Sequence, residues 1–162
     1  VCDLGIVGLN VAEERRLNRL AENQPASFKQ VYELDFGHCR LAIAAPDDVE
    51  YTDLSSLQNR RIATSYTGLL NHFLNNNGIE AEAVYFSGAV EIAPKLGRAD
   101  FICDLVSTGS TLKANGLREC ETLLESEAVV IQTEKPLGAE KQALVEKILQ
   151  RVDGVLQVRE SK

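Results

Sequence analysis

The sequence predicts an α/β fold built on a parallel sheet, and three observations carry that reading. Short apolar runs alternate with helical patterns between residues 60 and 106, in the order strand, helix, strand, helix, strand. The clearest helical pattern, residues 66–77, places Tyr66, Leu69, Leu70, Phe73 and Leu74 at i, i+3, i+4, i+7 and i+8, the spacing of a one-sided apolar face. Gly78 follows it as a helix terminator, which frees residues 82–86 to begin the next strand.

Residues 1–8 read as a buried strand ending in glycines, and residues 10–22 as a charged helix on which Val11, Leu17 and Leu20 give a thin apolar face. Pro25 breaks that segment. Residues 28–36 and 38–45 read as two strands around Gly37, and Pro46-Asp47-Asp48 closes the second. Asp53 is placed to cap a short helical turn over 53–58. Strands are expected at 60–64, 82–86 and 100–106, with a short helix at 89–96. A further strand over 127–132 precedes a helix over 138–152 that aligns Leu144, Val145, Ile148, Leu149 and Val152, and a polar tail follows at 159–162.

Composition bounds the function. A chain of 162 residues makes one compact domain or two small lobes. Its 44% apolar and 25% charged content is that of an ordinary soluble protein. The net charge of −7 disfavours nucleic acid, although a local cluster of backbone N–H groups can still hold a small anion. No apolar run reaches the roughly 18 residues of a membrane helix, and no secretory signal pattern is present. Cys2, Cys39, Cys103 and Cys120 are widely spaced and form no CxxC, so they are expected as buried, reduced thiols of a cytoplasmic protein. The chain has no methionine and opens inside a strand-like run, so it is expected to be part of a longer protein with sheet partners upstream.

One motif carries chemistry. The strand 100–106 runs directly into Ser107-Thr108-Gly109-Ser110-Thr111, ahead of an expected helix. Glycine lets the backbone approach a ligand, hydroxyls add donors, and free N–H groups at a helix start favour an anion. Asp104 can accept hydrogen bonds from sugar hydroxyls. Walker A and GxGxxG patterns are absent. Read alone, the motif fits a capped turn as well as a phosphate pocket.

The segment Asp100–Leu117 closely resembles the phosphoribosyl-pyrophosphate loop of ATP phosphoribosyltransferases. Asp3–Gly8, Asp35–Arg40, Arg61–Tyr66 and Gly88–Pro94 are similar to the same family, in the same order, so the resemblance covers nearly the whole chain. It implies a two-lobed fold like that of periplasmic binding proteins, with one lobe complete and the other partial. The lobes would divide as residues 1–35, partial first lobe; 36–118, second lobe with the loop; and 119–162, return to the first lobe. It implies that Asp104 holds the ribose hydroxyls, that Glu91 faces the cleft near ribose or the magnesium shell, and that Ser107, Thr108, Gly109, Ser110 and Thr111 cradle the 5′-phosphate. It also implies weaker nucleotide contacts from Asp3, Gly5, Gly8, Thr64, Ser65 and Tyr66. ATP, phosphoribosyl pyrophosphate and Mg2+ are the expected ligands, with no direct protein ligand to the metal. No nucleic acid or membrane partner is expected. The full-length protein is expected to form dimers or hexamers, and this chain alone to be inactive. Arg98 and Thr67 depart from the family pattern, both away from the proposed pocket.

Other chemistries find little support. Glu13-Glu14 and Asp47-Asp48 read as solvated carboxylates, Arg15-Arg16 as surface ion pairing, and His72 as a surface residue. The alternative of another class is a non-catalytic solute-binding or sensor module for a small anion, since this architecture serves both.

Overall fold

The computed structural model describes residues 2–160, with side chains through Val158. The start of the first expected strand, Val1, and the end of the polar tail, Ser161 and Lys162, lie outside the described residues. Arg159 and Glu160 continue the last helix rather than forming a tail.

The chain builds two sheets. The smaller has three strands: β1 (Leu4–Gly8), β2 (Phe28–Glu33) and β8 (Ala128–Thr133), with β8 in the middle and antiparallel to both neighbours. The larger has five: β3 (Cys39–Pro46), β4 (Arg61–Thr64), β5 (Glu82–Tyr85), β6 (Phe101–Val106) and β7 (Leu117–Ser126), in the order β5-β4-β6-β3-β7. β4, β5 and β6 are parallel, as the alternation predicts. β3 is antiparallel to β6 and β7, so the sheet is mixed rather than parallel. The reason is connectivity. β3 enters from the small sheet and β7 returns to it, and neither belongs to a βαβ unit made from the segment 60–106.

β3 is the core of the larger sheet. Leu41, Ala42, Ile43, Ala44 and Ala45 are all buried, as expected of a central strand covered on both faces. Leu41, Ile43 and Ala45 share one face with Leu57, Phe101 and the buried side of helix α2 (Thr67–Asn76), namely Leu69, Leu70 and Leu74. Ala42 and Ala44 face the other way, against Val90, Ala93 and Leu112. Small side chains on that face leave room for the loop that follows β6 to lie close to the sheet.

Helix α1 (Leu9–Ala21) departs from its expected face. Val11 and Leu20 are about half exposed, while Asn10 and Ala12 are buried. α1 lies against α2, and Glu14 is not a solvated carboxylate. Its Oε1 accepts from the Gly68 N–H at 2.9 Å and its Oε2 from the Leu69 N–H at 2.7 Å. Glu14 thereby satisfies donors that α2 leaves open at its N-terminus, where Tyr66 makes no side-chain cap. Arg16 does pair with Glu13, at 2.7 Å, as a surface ion pair. The Asp53 cap also forms: its Oδ1 accepts from the Ser55 N–H at 2.8 Å.

The expected helix at 89–96 contracts to the 3-10 turn Val90–Ile92, entered through Ala89 at φ 51°. The last helix, α4 (Ala139–Glu160), runs past residue 152; Val145 is buried, whereas Leu144 and Ile148 are exposed. The cysteines divide likewise: Cys103 is buried, Cys39 and Cys120 are partly buried, and Cys2 is exposed.

Two crossovers join the sheets, residues 34–38 between β2 and β3 and Glu127 between β7 and β8. They run side by side. The Leu34 N–H donates to Ala128 O at 2.9 Å, the Ala128 N–H to Phe36 O at 2.9 Å, and the Leu9 N–H to Glu127 O at 2.8 Å.

Candidate functional site

β6 is buried at Phe101, Ile102, Cys103 and Val106, so the chain leaves the sheet from a fixed base. It turns at Gly109, whose φ of +78° is a left-handed conformation that costs glycine little. Helix α3 (Ser110–Ala114) follows, anchored by Leu112 in the core. At five residues α3 supplies only a small dipole, so the anion-binding capacity of the turn rests on its individual N–H groups. Among the described residues, the N–H groups of Thr108, Gly109 and Thr111 meet no acceptor. The Thr108 and Ser110 hydroxyls lie 2.9 Å apart at the mouth of the turn.

Glu91, Asp104, Ser107, Thr108, Gly109, Ser110 and Thr111 line one concavity of about 190 Å³. The structure thus brings together all seven phosphoribosyl-pyrophosphate candidates. Asp104 is partly buried, and its Oδ1 accepts from the Leu105 N–H at 2.8 Å. Burial above all, and then the charge of Glu91, holds the Asp104 carboxyl above the ordinary carboxylate range, against the lowering effect of the Leu105 N–H.

The six nucleotide candidates scatter. Thr64 is fully buried and its hydroxyl accepts from the Tyr66 N–H at 2.9 Å. The Ser65 hydroxyl donates to Phe86 O at 2.6 Å. Asp3 pairs with Lys141 at 3.0 Å and, with Gly5, lines a separate concavity of about 340 Å³ on the small sheet. Gly8 sits at the opposite end of β1, where an added Cβ would stand 2.5 Å from Asn10 Oδ1. The Tyr66 hydroxyl accepts from Asn10 Nδ2 at 3.0 Å and lies within electrostatic reach of Asp104. Burial first, with the Asp104 charge adding to it, pushes the Tyr66 phenol up from its ordinary value.

Three residues that organise this region were given no role in it from the sequence. Asn10 is buried, and joins Tyr66 to Ser126, whose hydroxyl donates to Asn10 Oδ1 at 2.9 Å. Glu14 holds the start of α2. Arg40 makes a two-pronged pair with Glu119, at 2.5 and 2.6 Å, and its Nη1 donates to Ser107 O at 3.3 Å, so a β3–β7 ion pair tethers the loop. A polar residue in the first turn of an amphipathic helix is the only sequence signal for Asn10. For Glu14 and Arg40 the partners are too remote in sequence to leave one.

The chain aligns over 96% of its length with the ATP phosphoribosyl transferase (HisG:HisZ) complex from Thermotoga maritima, covering 71% of that chain at a TM-score of 0.77 and 22% identity. An ATP-bound protein from Xanthomonas citri matches 86% of this chain and 60% of its own at a TM-score of 0.61 and 14% identity. A periplasmic domain of Bordetella pertussis BvgS matches 82% and 55% at a TM-score of 0.53 and 16% identity. At these identities the likeness is one of fold, and it establishes the α/β architecture shared with two-lobed periplasmic binding proteins. The family model described as HisG, ATP phosphoribosyltransferase, matches residues 1–154, and the chain belongs to that family.

Proposed function

We propose that the protein transfers the phosphoribosyl group of phosphoribosyl pyrophosphate to ATP, giving phosphoribosyl-ATP and pyrophosphate, the first step of histidine biosynthesis. The observation that supports this most is the concavity after β6, where open N–H groups and hydroxyls at 107–111 face the carboxylates of Asp104 and Glu91. An anion and a polyhydroxyl group side by side are what a ribose 5-phosphate presents. The N–H groups and hydroxyls would take the phosphate, and Asp104 the ribose hydroxyls. An adenine ring nitrogen forms the new bond to the anomeric carbon as the bond to the pyrophosphate oxygen breaks. The transition state has oxocarbenium character, so two nearby carboxylates stabilise it by charge and position, without a covalent intermediate.

Mg2+ is compatible with this lining, because Asp104 and Glu91 present only oxygen atoms, and they would meet its water shell rather than bind it directly. When bound, it would neutralise the leaving pyrophosphate. Gly8 and Tyr66 are the nucleotide candidates best placed for ATP, since Asn10 lies against both and Tyr66 is within electrostatic reach of Asp104. Asp3, Gly5, Thr64 and Ser65 have weaker claims, because their polar groups are engaged elsewhere or lie apart. The reading includes a cytoplasmic homo-oligomer and no activity for residues 1–162 alone.

Steady-state kinetics of Thr111→Val in the full-length enzyme test the cradle. Losing the hydroxyl should raise KM for phosphoribosyl pyrophosphate by about five- to tenfold, the worth of one hydrogen bond to a charged group, and leave KM for ATP within about twofold. Equal losses for both substrates would remove the phosphate assignment. Absence of pyrophosphate release with both substrates present would favour a binding module instead.

A further inference from the structure

The geometry points to a second metal site, for a borderline divalent ion such as Zn2+ or Co2+, built by Asp35, His38 and Glu127 where the two crossovers meet. This inference stands independently of the transferase reading. One ligand atom from each residue lies within 4.8 Å of the other two, and His38 Nε2 is 3.1 Å from Asp35 Oδ1.

The backbone places these groups. Asp35 at φ 51° and Gly37 at φ 70° curl residues 35–38 so that the aspartate and the imidazole meet. Glu127 comes from the other crossover, 92 residues away, and its Oε2 accepts from the Asp35 N–H at 2.6 Å. The backbone bonds Leu34 N–H to Ala128 O and Ala128 N–H to Phe36 O hold the two strands in that register. Two carboxylates are therefore fixed close together. Among the described residues no lysine or arginine pairs with either of them, and the one basic partner is His38, which meets Asp35. A cation is the species this arrangement lacks.

The donor set selects the ion. Mg2+ and Ca2+ take oxygen ligands, whereas an imidazole with two carboxylates suits zinc, cobalt or nickel. Tetrahedral zinc with ligands at about 2.0–2.1 Å needs donor atoms roughly 3.3 Å apart, so a pair at the 4.8 Å limit must close by about 1.5 Å. The side chains of Asp35 and His38 are 78% and 63% exposed, and rotate without disturbing the core. Three protein ligands leave a position for water. An ion held this way ties residues 34–38 to Glu127 and stiffens the connection between the sheets.

Titration with Co2+ in millimolar Mg2+, followed by visible absorption, tests the site. The expected result is one equivalent bound per chain, with d–d bands and no thiolate charge-transfer band. Thermal melting should rise with Zn2+, and His38→Ala and Glu127→Gln should each weaken binding by at least about tenfold. His38 is exposed and Glu127 half-buried, and unchanged melting without metal confirms the fold of both variants. No saturable cobalt spectrum, binding indifferent to both substitutions, or a thiolate band placing the ion on Cys2 or Cys39 would each overturn the proposal.

Discussion

Two turns in the larger sheet begin alike and end differently. β4 and β6 are parallel neighbours, and each runs from a buried strand into a helix through a stretch of small and hydroxylated residues: Thr64-Ser65-Tyr66-Thr67-Gly68 after β4, Ser107-Thr108-Gly109-Ser110-Thr111 after β6. After β4, the protein supplies the anion itself, because the Glu14 carboxylate accepts from the Gly68 and Leu69 N–H groups. After β6, the N–H groups of Thr108, Gly109 and Thr111 meet no acceptor among the described residues. Local sequence gives a turn its donors, and tertiary structure decides whether they remain available to a ligand.

The largest expected effect comes from emptying the occupied turn. Glu14→Ala removes the acceptor for two N–H groups at the start of α2 and should destabilise the fold by about 2 kcal/mol, measured by urea denaturation. The same variant sharpens the comparison. With Glu14 gone, the start of α2 offers open N–H groups as the turn after β6 does, so phosphate or sulfate should raise its melting temperature more than that of the parent protein. An equal response in both would mean that the Glu14 carboxylate is not what closes this turn.

The contrast also separates what was legible in the sequence from what was not. The strand–helix alternation after residue 60 and the turn at Gly109 are local, and periodicity and glycine reveal them. The seven residues of the concavity lie on segments close in sequence, and resemblance to the family sufficed to group them. Glu14 reads as half of an acidic pair on a charged helix, and only its docking 54 residues away on α2 gives it a role. β7 was equally hidden. Its pairing with β3 shifts register between Leu41 and Ala42 and again between Ile43 and Ala44, so Leu123 and Cys120 interrupt the alternation that would mark a strand. Thr64 and Ser65 look available in sequence because their partners, a backbone amide and the Phe86 carbonyl, are set by the fold.

A smaller effect is expected at Gly109. An added Cβ would come no closer than 4.0 Å to Val106 Cγ1, so space does not forbid alanine, and the penalty is conformational. Gly109→Ala should cost roughly 1–2 kcal/mol of stability, the usual price of a left-handed non-glycine residue. If instead the turn relaxes out of φ +78°, stability will change less and the orientation of the open N–H groups will be lost, which calorimetry with phosphoribosyl pyrophosphate would register as weakened binding.

The finest contrast is between two carboxylates at opposite ends of the loop. The hydrogen-bonded guanidinium of Arg40 holds Glu119 below the ordinary range, whereas burial and the charge of Glu91 hold Asp104 above it. Glu119 therefore adds stability above its unfolded pKa, and that contribution fades as pH falls through its folded one. Asp104 has the opposite sign. Its folded form holds the proton more tightly, so its cost is absent at low pH and appears as pH rises from the unfolded pKa through the folded one. Asp104→Asn should thus stabilise the protein at neutral pH, with the gain vanishing on acidification, while Glu119→Gln should destabilise it at neutral pH and converge with the parent in acid. Urea melts across the carboxylate range distinguish the two slopes. If Asp104→Asn also weakens phosphoribosyl-pyrophosphate binding while raising stability, the strained carboxylate is kept for the ligand and not for the fold. A stabilised variant with undiminished binding would separate that strain from the ribose.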